Sequence, residues 1–228
     1  MQIGGTEEGI AYSIVGQPDA EAMANLLADT FSKGEPMAVA VGVPCDQLAR
    51  LVAVLTPKAI SEQLSIIARD TATGHLLGAL LADDFGTAPP EGLDHAAPGF
   101  APVAALLDGL DDRYRAATSV RPGTHAHIFM VGVSEAAAGR GVARKLIEVC
   151  LDNATRLEYG TALTEATGSA SQHIFRKLGF TELLTASYQD FLFNGAPVFS
   201  SIQGVAGTLL MARTLNHWPQ AHRRSGAV

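Results

Sequence analysis

Hydrophobic and polar positions alternate with two different periods along this chain, and each change of period marks an element. Ile10 to Val15 reads as a strand. Asp19 can cap a helix running to about Phe31, with Met23, Leu26, Leu27 and Phe31 on one stripe. The run GEPMAVAVGVP (34–44) breaks that spacing. Asp46 is a second cap candidate, opening a helix through Leu51, Val52 and Leu55 that should stop at Pro57. Leu64 to Ala68 and His75 to Ala82 read as strands joined by a turn over Asp70 to Gly74. A helix is predicted from Pro102 to about Ala117, a strand from His125 to Val133, and a helix from about Gly141 to Leu157. Val142, Leu146, Val149, Cys150 and Leu157 form the apolar stripe of that last helix. A short strand (Ala162 to Glu165), a short helix (Ser171 to Lys177) and a stop at Gly179 follow. Leu183 to Phe193 and Val205 to Ala212 read as closing strands, with Asn194-Gly195 a tight-turn signal between them. The tail from Thr214 carries no period.

This order places hairpin strands early, one strand–loop–helix–strand unit in the middle and antiparallel strands at the end. It predicts an α+β fold on a mixed, mostly antiparallel sheet, not a doubly wound parallel one. At 228 residues the chain suits a single domain. Its core is expected over about 10–213, with a helical insert at about 84–122 and a tail at 214–228. Apolar residues at 47% and charged residues at 17% permit a sizeable core and exclude global disorder.

Charge narrows the partners. The formal net charge of −7 disfavours general binding to nucleic acid or anionic lipid. From Thr71 to Asp112 there are seven acids and no Lys or Arg. That stretch reads as a solvated loop and helix face, or as the acidic side of a site for a cationic substrate. Cys45 and Cys150 make neither a disulfide scaffold nor a zinc pattern. No apolar run approaches the ~18–20 residues that span a bilayer, and the N-terminal segment has acids where a targeting peptide has bases. A cytoplasmic protein, monomer or homodimer, is the expectation.

The first chemistry lies in the central unit. After His125 to Val133 comes SEAAAGRGVARKL, Ser134 to Leu146. Gly139 and Gly141 let the backbone turn tightly and approach a ligand. The following helix directs free N–H groups and its positive dipole end toward the loop, so as residues alone the stretch reads either as an anion site suited to a pyrophosphate or as only a turn into the helix. Arg140, Arg144 and Lys145 add local positive charge. Arg144 stands where a dinucleotide fingerprint needs a third Gly or Ala, and the Gly-Lys-Ser/Thr of a Walker loop is absent.

The string Ala138-Gly139-Arg140-Gly141-Val142-Ala143 resembles the coenzyme A pyrophosphate loop of the GNAT acetyltransferases, usually Arg/Gln-x-x-Gly-x-Gly/Ala. Gly141 and Ala143 match, while Ala138 stands where Arg or Gln is usual. Ser171 to Phe180 (SQHIFRKLGF) resembles the family's Asn/Ser-x-x-x-Tyr-x-Lys-Leu-Gly-Phe block, with Phe175 at the Tyr position. Phe31 to Met37 (FSKGEPM) is similar to the Phe-x-x-x-Glu-Pro-Leu segment of the arylalkylamine branch, which includes insect dopamine N-acetyltransferases. The helical insert and the segments Pro197-Val198-Phe199 and Leu209 to Ala212 also resemble that branch. The resemblance implies a GNAT fold, acetyl-CoA as co-substrate, no metal, and a small, aromatic or aralkyl primary amine as acceptor. It places the general base on Glu35 and its helping hydroxyls on Thr167 and Ser171. It assigns the coenzyme to Val131, Gly132, Val133, Ala138, Gly139, Arg140, Gly141, Val142, Ala143, Arg144 and Phe175. Other acceptors within the fold (a polyamine, an antibiotic amine, a peptide N-terminus) or a silent acyl-CoA-binding module are the alternatives.

The residue types suit amine acylation. An alkylamine resembles Lys, with a pKa near ~10, so a base must take a proton as attack proceeds. A carboxylate at the usual ~4.3 is a weak base, and burial or a water relay has to help Glu35. Backbone N–H groups near Val131 and Val133 are candidate oxyanion donors, and Ser171 can donate to the leaving thiolate. As residues alone, Glu35 also fits a solvated loop acid, Ser171 a helix N-cap, Thr167 a structural or substrate-lining residue, and Phe175 core or coenzyme packing. His125 and His127 share a strand face and, lacking a third ligand, read as structural. Cys150 and Tyr188 read as packed core residues.

Overall fold

The computed structural model describes residues 2–215. In chain order these form β1 (Gln2–Glu7), β2 (Ile10–Ile14), α1 (Ala20–Gly34), α2 (Pro36–Val41), α3 (Cys45–Glu62), β3 (Ile66–Asp70), β4 (Leu76–Asp84), α4 (Leu93–Ala96), α5 (Ala101–Ala117), β5 (His125–Val133), α6 (Val142–Arg156), β6 (Thr161–Ala166), α7 (Ser169–Lys177), β7 (Thr181–Ser187) and β8 (Gly207–Thr214). The strands make one eight-stranded sheet in the order β1-β2-β3-β4-β5-β6-β8-β7. Neighbours pair antiparallel except β5 and β6, which are parallel. The mixed, mostly antiparallel α+β architecture is the one the element order predicts.

Period-two alternation builds two cores, one on each face. Ile67, Ala79, Leu81, Leu163 and Leu210 pack with buried residues of α1, α2, α3 and α5. Ile66, Ala68, Leu80, Ala82 and Ala162 pack with those of α6 and α7. The interior is close-packed, so deleting a fully buried leucine such as Leu27 or Leu80 is the kind of change that costs about 2–5 kcal/mol. Cys150 lies in the α6 core, where burial pushes its thiol up to about 12 and leaves it unreactive.

Several local expectations need correction. The 34–44 run is helical again after one residue: Glu35 is extended (φ −79°, ψ 120°), Pro36 opens α2, and Gly42 ends it at φ +64°. Helix α3 continues through Pro57 to Glu62. Pro57 and Ala53, whose carbonyl loses its partner, are both solvent-exposed, so water can satisfy it. Asp46 is not the cap of α3; Pro44 holds that place and Asp46 pairs with Arg50 at 2.7 Å. Asp19 does precede α1, but its Oδ2 accepts from Gly16 N and its Oδ1 pairs with Arg69. Asn194-Gly195 turns within the long β7–β8 connection, closing a Phe193–Ala196 bridge, and does not join the two strands directly. The edge strand β1, rich in glycine and without alternation, was not foreseen. Of the 214–228 tail, all beyond Leu215 lies outside the described residues.

Candidate active site

The site begins with a defect in the sheet. Leu81 pairs with Met130 but Ala82 pairs with Ile128, leaving Phe129 as an extra residue in β5. The bulge flips the strand: Ile128 faces the α6 core, whereas Phe129 and Met130 both face the α1/α3/α5 core. The parallel ladder to β6 covers only His125 to Ile128 against Thr161 to Thr164. Beyond it the strands part. Ser134 N donates to Leu77 O on β4, so alternation turns the backbone groups of Val131 and Val133 the other way, into the gap. Gly132 has a packing reason as well. A Cβ there would lie 2.4 Å from Thr30 Oγ1 and 3.0 Å from Leu27 Cδ2, so its absence lets α1 lie against β5.

At the end of β5 the chain turns through Gly139 (φ +75°) and Gly141 (φ +76°), a region that favours glycine, and Gly141 is the N-cap of the 15-residue α6. Both glycines face open space. The first α6 N–H groups have no intrahelical partners and stand at the positive dipole end, a fit for a polyanion. Ala138, Gly139, Arg140 and Gly141 are exposed, and buried Val142 anchors the helix start in the core. The basic cluster is weaker than its sequence suggests. Arg144 pairs with Glu148 at 2.8 Å and Lys145 with Glu7 at 2.7 Å, whereas Arg140 has no ion pair among the described residues.

A cavity of about 410 Å³ leads inward from this loop. It is lined by Phe31, Glu35, Val131, Gly132, Val133, Ala143, Thr167, Ser171 and Phe175, among others. A smaller cavity continues from it and shares Phe31, Glu35, Val131, Thr167, Ser171 and Phe175. Glu35 therefore stands at the junction. It is only 8% exposed, so it is not a solvated loop acid. Its Oε2 accepts from Ala38 N at 2.5 Å across the α2 N-terminus, while Oε1 has no hydrogen-bond partner. Burial raises its pKa, opposed by the Ala38 N–H, the nearby Thr167 hydroxyl and the Met37 N–H.

Ser171 is not the cap of α7; Gly168 is, and Ser171 sits in the first turn. Its hydroxyl donates to Gly168 O at 2.9 Å and accepts from Gly168 N at 3.1 Å. Thr167 is held from behind. The fully buried Tyr188 donates to Thr167 O at 2.7 Å and shares a hydrogen with Thr208 Oγ1 at 3.0 Å. Phe175 packs edge-on to Phe180 and lines both cavities, so core and site packing are not alternatives for it.

Past Glu35 the smaller cavity is apolar, walled by Phe100, Val103, Leu107, Phe129 and Met130. It shares Phe100, Leu107, Phe129 and Glu165 with a third cavity, of about 330 Å³. That one shares Leu93, Asp108, Asp111, His127 and Phe129 with a fourth, of about 650 Å³. Asp83, Asp84, Asp108, Asp111 and Asp112 line the fourth, so most of the acidic stretch converges on one place. His127 bridges Asp83 (Nδ1, 3.0 Å) and Glu165 (Nε2, 2.7 Å). Burial alone would lower its pKa, but the two carboxylates outweigh it and raise it well above the usual value. His127 and Lys58 in turn hold Asp83 down at about 2 despite its burial. No metal-binding group of three or more ligands occurs among the described residues.

The model of the GNAT acetyltransferase family matches residues 61–180, just over half the chain. The chain belongs to that family. Solved structures resembling this GNAT domain include the C-terminal condensation domain of Ebony in complex with β-alanyl-dopamine (TM-score 0.82, 14% identity, covering 90% of this chain and 98% of that one). Arylalkylamine N-acetyltransferase 2 from Aedes aegypti (0.74, 21%, 92% and 100%) is another. A third is the polyamine N-acetyltransferase of Drosophila melanogaster (0.71, 16%, 90% and 100%), described as forming N-acetylagmatine. At these identities the likeness is one of fold. No curated protein matches the chain. No helix among the described residues is long and apolar enough to cross a membrane.

The fold thus gathers Glu35, Thr167, Ser171, Phe175, Val131, Gly132, Val133 and Ala143 around one cavity, whereas Ala138 to Val142 and Arg144 do not line it and are tied to it only through their chain neighbour Ala143. Sequence reasoning missed Glu165, Phe129, Phe100 and Asp111. Glu165 had a signal: it is the one charged residue in a short strand of otherwise uncharged residues, TALTEA. The others gave none, because only the packing of α5 over the sheet brings them together.

Proposed function

We propose that the chain transfers an acetyl group from acetyl-CoA to the primary amine of a small acceptor with an apolar, aryl or alkyl, body. The observation that carries this reading is the position of Glu35. A buried carboxyl with one unpartnered oxygen lies where a cavity from the pyrophosphate-type loop meets a cavity walled by Phe100 and Phe129.

The residues would divide the work as follows. The α6 N-terminus with Gly139, Arg140 and Gly141 holds the pyrophosphate, and Val131 to Val133 with Ala143 hold the coenzyme's arm in the strand gap. The coenzyme supplies, when bound, an acetyl thioester open to attack. Glu35 takes the amine proton, directly or through one water, and its raised pKa makes it a stronger base than a solvated carboxylate. The outward-turned backbone of Val131 and Val133 supplies N–H groups for developing negative charge. Ser171 reaches the leaving sulfur by turning its hydroxyl from Gly168 O. No covalent enzyme intermediate is needed.

The test is thiol release from acetyl-CoA with a panel of arylalkyl and alkyl amines and a peptide N-terminus. Turnover with small amines is the expected result. Absence of thiol with every acceptor, while the coenzyme still binds, would leave only a silent acyl-CoA-binding module.

A further inference from the structure

The far end of the acceptor channel holds an arrangement that a monoamine does not use. Glu165 on β6 is 3% exposed in its side chain. One of its oxygens accepts from His127, and the other, Oε1, has no donor. Asp111, on α5, lines the same cavity and is near enough to Glu165 for the two carboxyls to couple electrostatically, and its Oδ1 also lacks a donor. Both residues line the third cavity. Two carboxyl groups facing one another cannot both ionise without a cost, and burial adds to it. Burial first, and then the facing Glu165, push Asp111 up to about 8 against the pull of His127 and Arg115, which favours a proton shared between the two carboxyls.

The surroundings favour replacing that proton by a cation. Six acids line the third and fourth cavities (Asp83, Asp84, Asp108, Asp111, Asp112 and Glu165), against two cationic side chains, His127 and Arg115. Both cations are already engaged. His127 sits between Asp83 and Glu165, and Arg115 stacks 3.7 Å over Phe85 and donates to its carbonyl. Lys58, from α3, is bonded to Asp83 and Glu62. The unmet demand is for hydrogen-bond donors with positive charge, in a cavity whose other walls include the apolar Phe100, Leu107 and Phe129.

We propose that Asp111 and Glu165 form a subsite for a second cationic group on the acceptor, an ammonium or guanidinium separated from the reacting amine by an apolar spacer. This rests on the acetyl-transfer reading and narrows its acceptor. The reacting amine meets Glu35, the spacer lies along Phe129, and the distal cation displaces the proton between the two carboxyls. His127 is then a positioning residue, fixing the Glu165 carboxylate through its own ion pair with Asp83.

The experiment compares matched acceptors that differ only at the far end: 4-(aminomethyl)benzylamine against 4-methylbenzylamine, and 1,6-diaminohexane against heptylamine. In the wild type the dication of at least one pair should exceed its partner by tenfold or more in kcat/KM, mainly through KM. Asp111→Asn should reduce that ratio at least fivefold, and Glu165→Gln should do the same if it folds. Calorimetric titration of each dication onto the coenzyme-loaded protein reads the same preference without turnover. Equal kcat/KM within both pairs, or a ratio unmoved in Asp111→Asn, would overturn the subsite while leaving acetyl transfer intact. No thiol with any of the four amines would instead count against the reading on which it rests.

Discussion

The two ends of the channel are built in opposite ways. The end where we place the coenzyme is made by backbone: two positive-φ glycines, the N-terminus of α6 and a strand edge left bare where β5 and β6 part. The end where we place the acceptor is made by side chains from β4, β5 and β6, which those of α5 join only when that helix packs across the sheet. A backbone device tolerates side-chain change, so Ala138 in place of Arg or Gln is compatible with anion binding. A side-chain device does not, so on the proposed reading each of its members would fix part of the specificity.

Three substitutions at the loop and behind Thr167 test the backbone side of that contrast. The largest effect is expected from Gly141→Val. A β-branched residue at φ +76° is strained by about 1–3 kcal/mol, and its side chain enters the space before α6. Coenzyme affinity should fall at least tenfold by calorimetry; an unchanged value would remove the loop from the binding site. Tyr188→Phe comes next. It deletes the hydrogen bond to Thr167 O and strips Thr208 of a partner. A loss of ~1 kcal/mol is the usual scale for a buried hydrogen bond. In a chain of this size that corresponds to roughly 2–4 °C in Tm, readable by calorimetric melting. The smallest belongs to Arg140→Ala. An exposed cation contributes ~0–1 kcal/mol, so coenzyme Kd should rise no more than about fivefold, and less at high salt. A much larger loss would mean that side-chain charge, not backbone, holds the anion.

The same contrast explains what could be read from sequence. The proposed coenzyme end is local: strand, Gly-x-Gly and amphipathic helix follow one another within about thirty residues, and 3.6- and 2-residue periods locate them. The Glu-Pro segment was visible too, although its helix was not, because a six-residue α2 is too short to show a period. The β5 bulge left no mark, since Phe129 and Met130 are both apolar and alternation does not reveal which one is extra. The acid stretch was visible only as composition. Convergence of Asp83 and Asp84 with Asp108, Asp111 and Asp112 depends on how α5 returns over β4, and sequence periodicity carries no information on that. The bridging of Asp83 and Glu165 by His127 needed three strands in register.

The central claim is that Glu35, where the two ends meet, is the base. It is tested most directly by the pH profile of kcat/KM for thiol release in the wild type and in Glu35→Gln, with coenzyme affinity measured alongside. Burial raises the Glu35 pKa, so protonation as pH falls removes the base, and the wild-type acid limb should have its midpoint above the ordinary carboxylate value of 4.5. Glu35→Gln should bind coenzyme as before, turn over at least a hundredfold more slowly in the range expected for a lost general base, and lose that limb. A variant that keeps both the rate and the limb would contradict the account.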